Sequence, residues 1–191
     1  LISLLAMMAW EQWQPLRPRL ESVWRRIQTN FGLLALDILC VNFLLGMLVY
    51  AAALFAQAFS WGLLHWIPTP LGIEMPLTIL GMDLSLYGQH VVFHRHAWLW
   101  RLHQVHHSDV EFDASTGVRF HPLEIFISLL YKTVVALLLG ASPAGVLCFE
   151  VLLSSSSLFN HGNVALAQPT EGWLRLIVVT PSMHRIHHST L

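Results

Sequence analysis

The sequence predicts an all-α protein: an integral-membrane bundle of about four membrane-embedded helices, with its histidine clusters gathered at one membrane face. Only 11% of the 191 residues are charged and 55% are hydrophobic, whereas an average soluble domain is roughly 25% charged. Several apolar runs reach or approach the length of about 20 residues that a helix needs to cross a bilayer. The chain has 12 histidines, and most of them lie in groups next to these runs.

The length fits one domain, which we divide into an N-terminal interfacial segment, residues 1–30, and a membrane domain, residues 31–191. The formal net charge of −1 provides no basic patch to neutralise phosphates, so we expect no nucleic-acid partner. Cys40 and Cys148 lie far apart inside apolar runs. We interpret them as buried thiols that form neither a disulfide nor a metal site.

The N-terminal segment is predicted to lie on the membrane surface. Residues 1–10 form an apolar run that we interpret as the tail of an earlier helix, and we therefore expect the chain to be a fragment. Residues 15–27 combine an apolar face with arginines at other positions, which is typical of an interfacial helix. An ordinary cytosolic amphipathic helix is the alternative. The apolar positions of this pattern are Leu16, Leu20, Val23, Trp24 and Ile27.

Four apolar segments are predicted to enter the membrane. Residues 31–67 are too long for one simple span and too short for two. We predict one long or tilted helix there, followed by a shallow re-entrant piece that ends at residues 68–70. The further predicted spans are residues 75–94, 123–140 and 144–159. Residues 154–157 are four serines, which we interpret as small residues at a helix-packing surface.

The arginines orient these helices. Four arginines precede the first span, three lie between the second and third spans, and two follow the fourth. The positive-inside rule places all three groups on the cytoplasmic side, and two crossings between successive groups satisfy it. The main histidine clusters then lie at the cytoplasmic face, although they are far apart in the sequence.

The spacing of the histidines indicates metal ligands. Two triplets with the spacing H-x-x-H-H and one H-x3-H pair lie at the predicted cytoplasmic face of the membrane. Residues three and four apart share one face of a helix, so each group directs several imidazoles into one volume. Imidazole suits zinc, copper, iron and nickel. Eight or nine histidines exceed the four ligands of one zinc ion and fit two ions with open positions. The predicted ligands in these groups are His90, His94, His103, His106, His107, His184, His187 and His188. His161, at the returning end of the fourth predicted span, is well placed to add a ninth.

Other polar residues are weaker candidates. His65 is predicted to lie near the opposite interface without a role in metal binding, and His96 to face away from the ligand stripe. His121 is either a hydrogen-bond donor behind a ligand or the start of a helix. Asp83 lies seven residues before His90, on the same helical face. It is either a packing residue or an acceptor that orients a ligating imidazole. Glu124 and Glu150 are weaker candidates for the same role.

At these motifs the sequence resembles the fatty acid hydroxylase/sterol desaturase superfamily of integral-membrane di-iron oxygenases, over roughly residues 30–191. Many relatives have arginine where this chain has Val91. Relatives also usually continue past the last triplet, so we expect the domain to extend beyond Leu191. The matching motifs are His90-x3-His94, Leu99-Trp100-Arg101-x-His103-x2-His106-His107-Ser108, Arg119-x-His121-Pro122-Leu123-Glu124, Asn160-His161-x-Asn163 and Thr180-Pro181-x2-His184-x2-His187-His188.

The resemblance implies that the predicted ligands hold two iron ions. It implies an enzyme that uses O2 to hydroxylate or desaturate an unactivated C–H bond of a membrane lipid, such as a sterol or a fatty acyl chain. The lipid would enter from the bilayer of a bacterial inner membrane or an endomembrane. No flavin, haem or Fe–S motif is visible, so the resemblance implies an external electron donor, a ferredoxin or a cytochrome b5-type protein with its reductase.

Two other classes of protein remain open from the residues alone. A histidine-rich membrane protein could bind or transport metal without oxygenase activity, and metal binding without O2 consumption would favour it. A non-catalytic protein stabilised by zinc would hold zinc tightly and stay inactive after iron loading.

Overall fold

The computed structural model describes residues 2–19, 22–42, 45–67, 69–70 and 72–189. These residues form α-helices, a short π-helix and a short 3-10 helix without any β-strand, which confirms the all-α class. Leu1, Leu20, Pro68 and Leu191, named above, lie outside the described residues. The α-helices are α1 Ile2–Trp13, α2 Val23–Asp37, α3 Leu48–Ala58, α4 Leu63–Trp66, α5 Glu74–Arg95, α6 Ala97–His107, α7 Pro122–Leu139, α8 Pro143–Asn160, α9 Gln168–Leu174 and α10 Pro181–His187.

Residues 15–27 do not form the single interfacial helix that their amphipathic pattern predicted. Helix α2 begins only at Val23, and the described residues from 15 to 19 are not helical. Pro15 instead forms an isolated antiparallel bridge with Val164, and the Leu16 N–H donates to the Asn163 carbonyl at 3.0 Å. Proline lacks an N–H and disfavours a helical conformation in the residue before it. The predicted helix start was therefore wrong.

The apolar run from 31 to 67 contains several helical pieces, so the prediction of one long helix was also wrong. Helix α2 ends at Asp37, and the π-helix Ile38–Asn42 continues it. A turn precedes α3, and a second break separates α3 from α4. At that break Gly62 has a φ of 102°, a conformation that residues with a Cβ rarely adopt.

The other three predicted spans are helical. Helices α5, α7 and α8 contain residues 75–94, all but the last residue of 123–140, and residues 144–159 respectively. Helix α7 ends at Gly140, whose left-handed conformation is a common helix cap. The serine run lies inside α8, and the Ser157 hydroxyl donates to the Gly117 carbonyl at 3.2 Å. The predicted packing role therefore holds for Ser157, whereas Ser154 and Ser156 are exposed.

The described residues separate into two compact units. The first unit draws on Leu1–Ala35, Gln104–Phe120 and Ser154–Leu191. The second unit draws on Leu36–His103 and His121–Leu153.

In the second unit, α3 and α5 pack against α7. The break before α4 also packs closely against the end of α7, because a Cβ added at Gly62 would lie 2.3 Å from the Gly140 backbone nitrogen. Lys132 Nζ lies 2.6 Å from Glu150 Oε1, so this acid has a structural partner. The apolar core consists of Val41, Val49, Ala52, Ala53, Met82, Leu129, Ala136, Ala141, Val146 and Phe149.

Much of the apolar surface of the second unit faces outward. Two segments, Leu48–Trp66 and Pro122–Leu139, are long and apolar enough to cross a membrane, and only 17% of the latter is buried. Cys40 and Cys148 are also exposed, so the prediction of buried thiols was wrong. An apolar sequence run indicates an apolar environment, which for an outward-facing helix can be lipid instead of protein core.

The first unit contains a buried polar network around the loop that precedes the 3-10 helix Ala114–Val118. Arg26 Nη2 lies 2.8 Å from Asp109 Oδ2, and Arg26 Nη1 lies 2.5 Å from Asp113 Oδ2. Burial alone would raise the pKa of Asp109, but hydrogen bonds from Arg26 and Thr116 hold this pKa below its usual range. Asn30 also donates to Asp109 and accepts from Arg119. The network therefore ties α2 to the segment that follows α6.

Candidate metal centre

Four histidines of the first unit bring their ring nitrogens together. One ring nitrogen from each of these histidines lies within 4.8 Å of the corresponding nitrogens of the other three. The four residues are His106, His161, His184 and His188. His161 Nε2 lies 3.0 Å from His106 Nε2 and 3.0 Å from His184 Nε2. His106 and His161 are almost fully buried. The sequence places these residues up to 82 positions apart, and the fold collects them in one volume.

Backbone carbonyls fix the orientation of two of these imidazoles. His106 Nδ1 lies 3.1 Å from the Arg119 carbonyl oxygen, and His161 Nδ1 lies 2.6 Å from the Ser157 carbonyl oxygen. A carbonyl oxygen only accepts, so each Nδ1 carries the hydrogen, and Nε2 of the neutral ring holds a lone pair. The His106 ring also stacks on Phe120 at 4.5 Å with an interplanar angle of 7°. Both Nε2 atoms are therefore held with their lone pairs toward the cluster.

This arrangement fits a metal ion. Two lone-pair nitrogens 3.0 Å apart repel each other unless a cation lies between them. If two nitrogens bind one ion with bonds of about 2.1 Å that meet at a right angle, the two nitrogens lie about 3.0 Å apart. Burial, and then the neighbouring imidazoles, lower the pKa of His188, which keeps this ring neutral and able to bind metal. Both of its ring nitrogens are buried, and neither has a hydrogen-bond partner in the described part of the chain.

A second group in the first unit shares His188. It consists of His107, His187 and His188, whose ring nitrogens also lie within 4.8 Å of one another. The His107 and His188 rings stack with their centroids 4.0 Å apart. His106 and His107 lie in the last turn of α6, and His187 ends α10. The first unit alone thus contains two overlapping sets of imidazoles.

The second unit contains the remaining three predicted ligands. The ring centroids of His90 and His94 lie 4.7 Å apart, and each lies 4.9 Å from the His103 ring centroid. His103 Nδ1 lies 2.6 Å from Glu124 Oε1, and both side chains are buried. A carboxylate in this position fixes the tautomer and orientation of an imidazole and increases its basicity as a ligand. Glu124 Oε2 is buried as well, without a hydrogen-bond partner among the described residues.

The other candidate residues lie elsewhere. None of His65, His96 and His121 belongs to a metal-binding group among the described residues. His121 caps α7, its Nδ1 accepting the Leu123 N–H at 3.1 Å, which agrees with the helix-start alternative. Asp83 is on α5 as predicted, but it is exposed, and its carboxylate makes no hydrogen bond with the described residues.

Glu124 was predicted only as a weak candidate for the residue that orients a ligating imidazole, but it is the acid that contacts His103. It lies in the first turn of α7, where an acid is already explained by the helix dipole, so its sequence position gave no separate signal. Its partner His103 is 21 residues away, and only tertiary packing brings the two together. Phe112 was also missed: its ring lies 4.8 Å from the His188 ring and 5.3 Å from the His161 ring, centroid to centroid.

We expect Glu124→Gln to reduce activity about 10–100-fold, because partners behind a metal ligand typically have effects of this size. Glutamine keeps the shape of the side chain but not the charge that orients His103. Asp83→Asn is the matched comparison, and the sequence predicts the same loss for it. Turnover and metal content, measured on the two purified variants, show whether Glu124 or Asp83 has the orienting role. A loss for Asp83→Asn alone would assign the orienting role to Asp83 and not to Glu124.

The chain is similar in sequence to known lipid monooxygenases and hydroxylases. The chain is 30% identical to the alkylglycerol monooxygenase of Danio rerio over 144 residues, 74% of this chain and 31% of that protein. It is 31% identical to the ornithine lipid hydroxylase OlsE of Rhizobium tropici over 120 residues, 63% of this chain and 35% of that protein. It is 27% identical to the human cholesterol 25-hydroxylase over 163 residues, 76% of this chain and 58% of that protein.

The chain thus spans about a third of the length of the first two relatives. No solved structure matches it. The sequence model of the fatty acid hydroxylase family matches residues 75–191, which contain all nine predicted ligands. The chain belongs to the fatty acid hydroxylase family.

Proposed function

We propose that this chain carries the active site of an O2-dependent di-iron enzyme that hydroxylates, or desaturates, an unactivated C–H bond of a membrane lipid. One observation supports this most strongly: two buried Nε2 atoms, held as acceptors by backbone carbonyls, face each other at 3.0 Å. The family and the names of the relatives point to lipid substrates. Among these relatives the names describe monooxygenases and hydroxylases, so hydroxylation is the favoured outcome.

The proposed ligands of the two iron ions are the nine histidines of the two units. Iron bound there would supply the reductive activation of O2 and the cleavage of the C–H bond. The chain itself orients three of these imidazoles, through the Arg119 and Ser157 carbonyls and the Glu124 carboxylate. Burial of His106 and His161 excludes bulk water from this end of the cluster. A ferredoxin or a cytochrome b5-type protein with its reductase is the proposed source of electrons.

We further propose four membrane-embedded helical segments with the histidines on the cytoplasmic side. The distribution of arginines and the outward-facing apolar helices support this arrangement. Two of the segments, Leu48–Trp66 and Pro122–Leu139, have the length and apolarity of a span. Helices α5 and α8 would be the other two. A lipid could then reach the metal centre sideways from the bilayer.

Cysteine labelling from either side of the membrane checks this topology. Cys40 and Cys148 are exposed and must first be replaced by serine. In that background we expect Val110→Cys and Thr170→Cys to react from the cytoplasmic side, and Glu74→Cys from the opposite side. All three positions are exposed. Positions 110 and 170 labelled from opposite sides would rule out the topology.

The function itself is tested with the purified full-length protein. Iron content, O2 consumption in the presence of an electron donor and lipid products by mass spectrometry are measured on one preparation. We expect about two iron ions per chain and a product heavier than the substrate by one oxygen atom. Metal uptake without O2 consumption would favour the carrier. Tightly held zinc without activity after iron loading would favour the zinc-stabilised protein.

A further inference from the structure

We propose that a pocket lined by arginines in the first unit binds the anionic phosphate of a lipid headgroup; this proposal rests on the proposed lipid oxidation. The cavity has a volume of about 120 Å³. By the same measure a single water molecule needs about 10–15 Å³, so the cavity has room for an oxyanion. The lining residues are Arg17, Pro18, Arg19, Arg26, Val110, Glu111, Asp113, Asn163 and Arg185.

The pocket carries more positive than negative charge. Four guanidinium groups and two carboxylates line it. Arg26 is committed to Asp109 and Asp113 at 2.8 and 2.5 Å, and Arg19 is bonded at 3.0 Å to Glu11, which lies outside the lining. Two guanidinium groups, those of Arg17 and Arg185, remain without an ion pair among the described residues.

Arg185 is held by neutral groups only. Its Nη2 donates to the Asn163 side-chain oxygen at 3.2 Å and to the Phe112 carbonyl at 3.4 Å. Its Nε is buried, without a hydrogen-bond partner in the described part of the chain. A buried donor on a charged group is costly to leave unsatisfied. An oxyanion in the pocket would supply both the acceptor and the counter-charge.

Asn163 positions both arginines. Its side-chain oxygen accepts from the Arg17 backbone N–H at 3.2 Å as well as from Arg185, and its Nδ2 donates to the Arg17 carbonyl at 2.9 Å. The two guanidinium groups therefore come from different segments that one side chain holds together. Guanidinium groups match the oxygens of a phosphate in a bidentate geometry, so phosphate is a ligand that the two arginines fit.

The pocket adjoins the histidine cluster through a single aromatic side chain. The Arg185 Cζ lies 4.8 Å from the Phe112 ring centroid, and the His188 ring lies 4.8 Å from the same centroid. Arg185 also follows His184 directly in α10. A lipid held here by its headgroup would present carbon atoms near the headgroup to the metal centre, and we expect oxidation there and not at the far end of a chain.

The test is calorimetric titration of the purified full-length protein in a neutral detergent, which needs no turnover. The probes are dihexanoyl phosphatidic acid, dihexanoylglycerol, which lacks the phosphate, and inorganic phosphate. We expect saturable binding of the phosphatidic acid, at least tenfold tighter than that of the other two probes. Phosphate binding as tightly as the lipid would show a site for free anions and overturn the headgroup assignment.

The variants are Arg17→Gln, Arg185→Gln and, as the matched control, Arg25→Gln, whose arginine is exposed on α2 and outside the pocket. We expect Arg17→Gln and Arg185→Gln each to weaken phosphatidic acid binding at least tenfold, and Arg25→Gln to leave it unchanged. The Arg17 side chain is exposed and makes no hydrogen bond or ion pair with the described residues, and glutamine leaves its backbone bonds to Asn163 in place. The Arg17→Gln variant therefore keeps the test valid if Arg185→Gln is unstable.

Three outcomes would overturn the pocket assignment. The first is unchanged binding in the Arg17→Gln variant. The second is equal weakening by Arg25→Gln, which would indicate a general surface charge effect. The third is that Arg17→Gln and Arg185→Gln leave lipid binding unchanged but raise the KM for the electron donor. That result would make this surface a protein-docking site. Binding without any lipid oxidation would instead refute the proposed function and leave the anion site intact.

Discussion

Loss of turnover, together with loss of bound metal, is the result we expect for His106→Ala. His106 Nε2 faces His161 Nε2 at 3.0 Å, and the Arg119 carbonyl holds the opposite side of its ring. Alanine removes one of the four proposed ligands of this group and leaves a space where a buried imidazole was. The loss should exceed the about 10–100-fold effect of residues that only support a ligand. Activity and iron content of the purified variant check this.

His187→Ala is the companion variant, and we expect the same result, because His187 belongs to the group that it forms with His107 and His188. His65→Ala and His96→Ala serve as controls, since neither histidine lies in a metal-binding group of the described residues. Both controls should retain metal and turnover. An active His187→Ala enzyme with a full complement of metal would refute the assignment of the second histidine group.

Arg26→Ala is expected to destabilise the protein by about 3–5 kcal/mol, the usual cost of removing one partner from a buried ion pair. Arg26 is 6% exposed, and the variant would leave Asp109 and Asp113 buried without their main cation. The free energy of unfolding, measured by denaturant titration in detergent, gives the size of the effect. Arg25→Ala is the control, because the neighbouring Arg25 is exposed and should contribute less than about 1 kcal/mol.

The pH dependence provides a second readout. The folded-state pKa of Asp109 is below its usual value, so its stabilising contribution is present above the unfolded pKa and is lost as the pH falls through the folded pKa. The stability difference between Arg26→Ala and the wild type should therefore shrink in acid, below about pH 4. A difference of less than about 1 kcal/mol at neutral pH would show that water solvates the two acids after the change.

Patterns that depend on local spacing predicted much of the fold. The continuous apolar runs located α5, α7 and α8, and the histidine triplets marked residues that the fold does bring together. These features are local because residues three and four apart share a helix face whatever the tertiary structure. Pro15 and Pro18 also act locally, because proline disfavours a helical conformation in the residue before it. The amphipathic pattern of residues 15–27 nevertheless predicted a helix there.

Features set by tertiary packing were not predictable in this way. The sequence favoured Asp83, on the helical face of His90, as an acceptor that orients a ligating imidazole, with Glu124 as a weaker candidate. In the structure it is Glu124, from another helix, that contacts His103. The two cysteines were expected to be buried because their neighbours are apolar, but their helices turn these faces outward. A sequence reports which side chains avoid water, and it does not distinguish a protein neighbour from a lipid neighbour.

The chain separation of the clustered histidines has a consequence for biogenesis. His106 and His161 are 55 residues apart, and His161 and His184 are 23 residues apart. An ion bound to all three closes two long loops, so part of its affinity is expressed as stability of the folded chain. The protein without metal is then the form most exposed to proteases, and the amount that accumulates in a cell should follow its iron supply even when synthesis is constant.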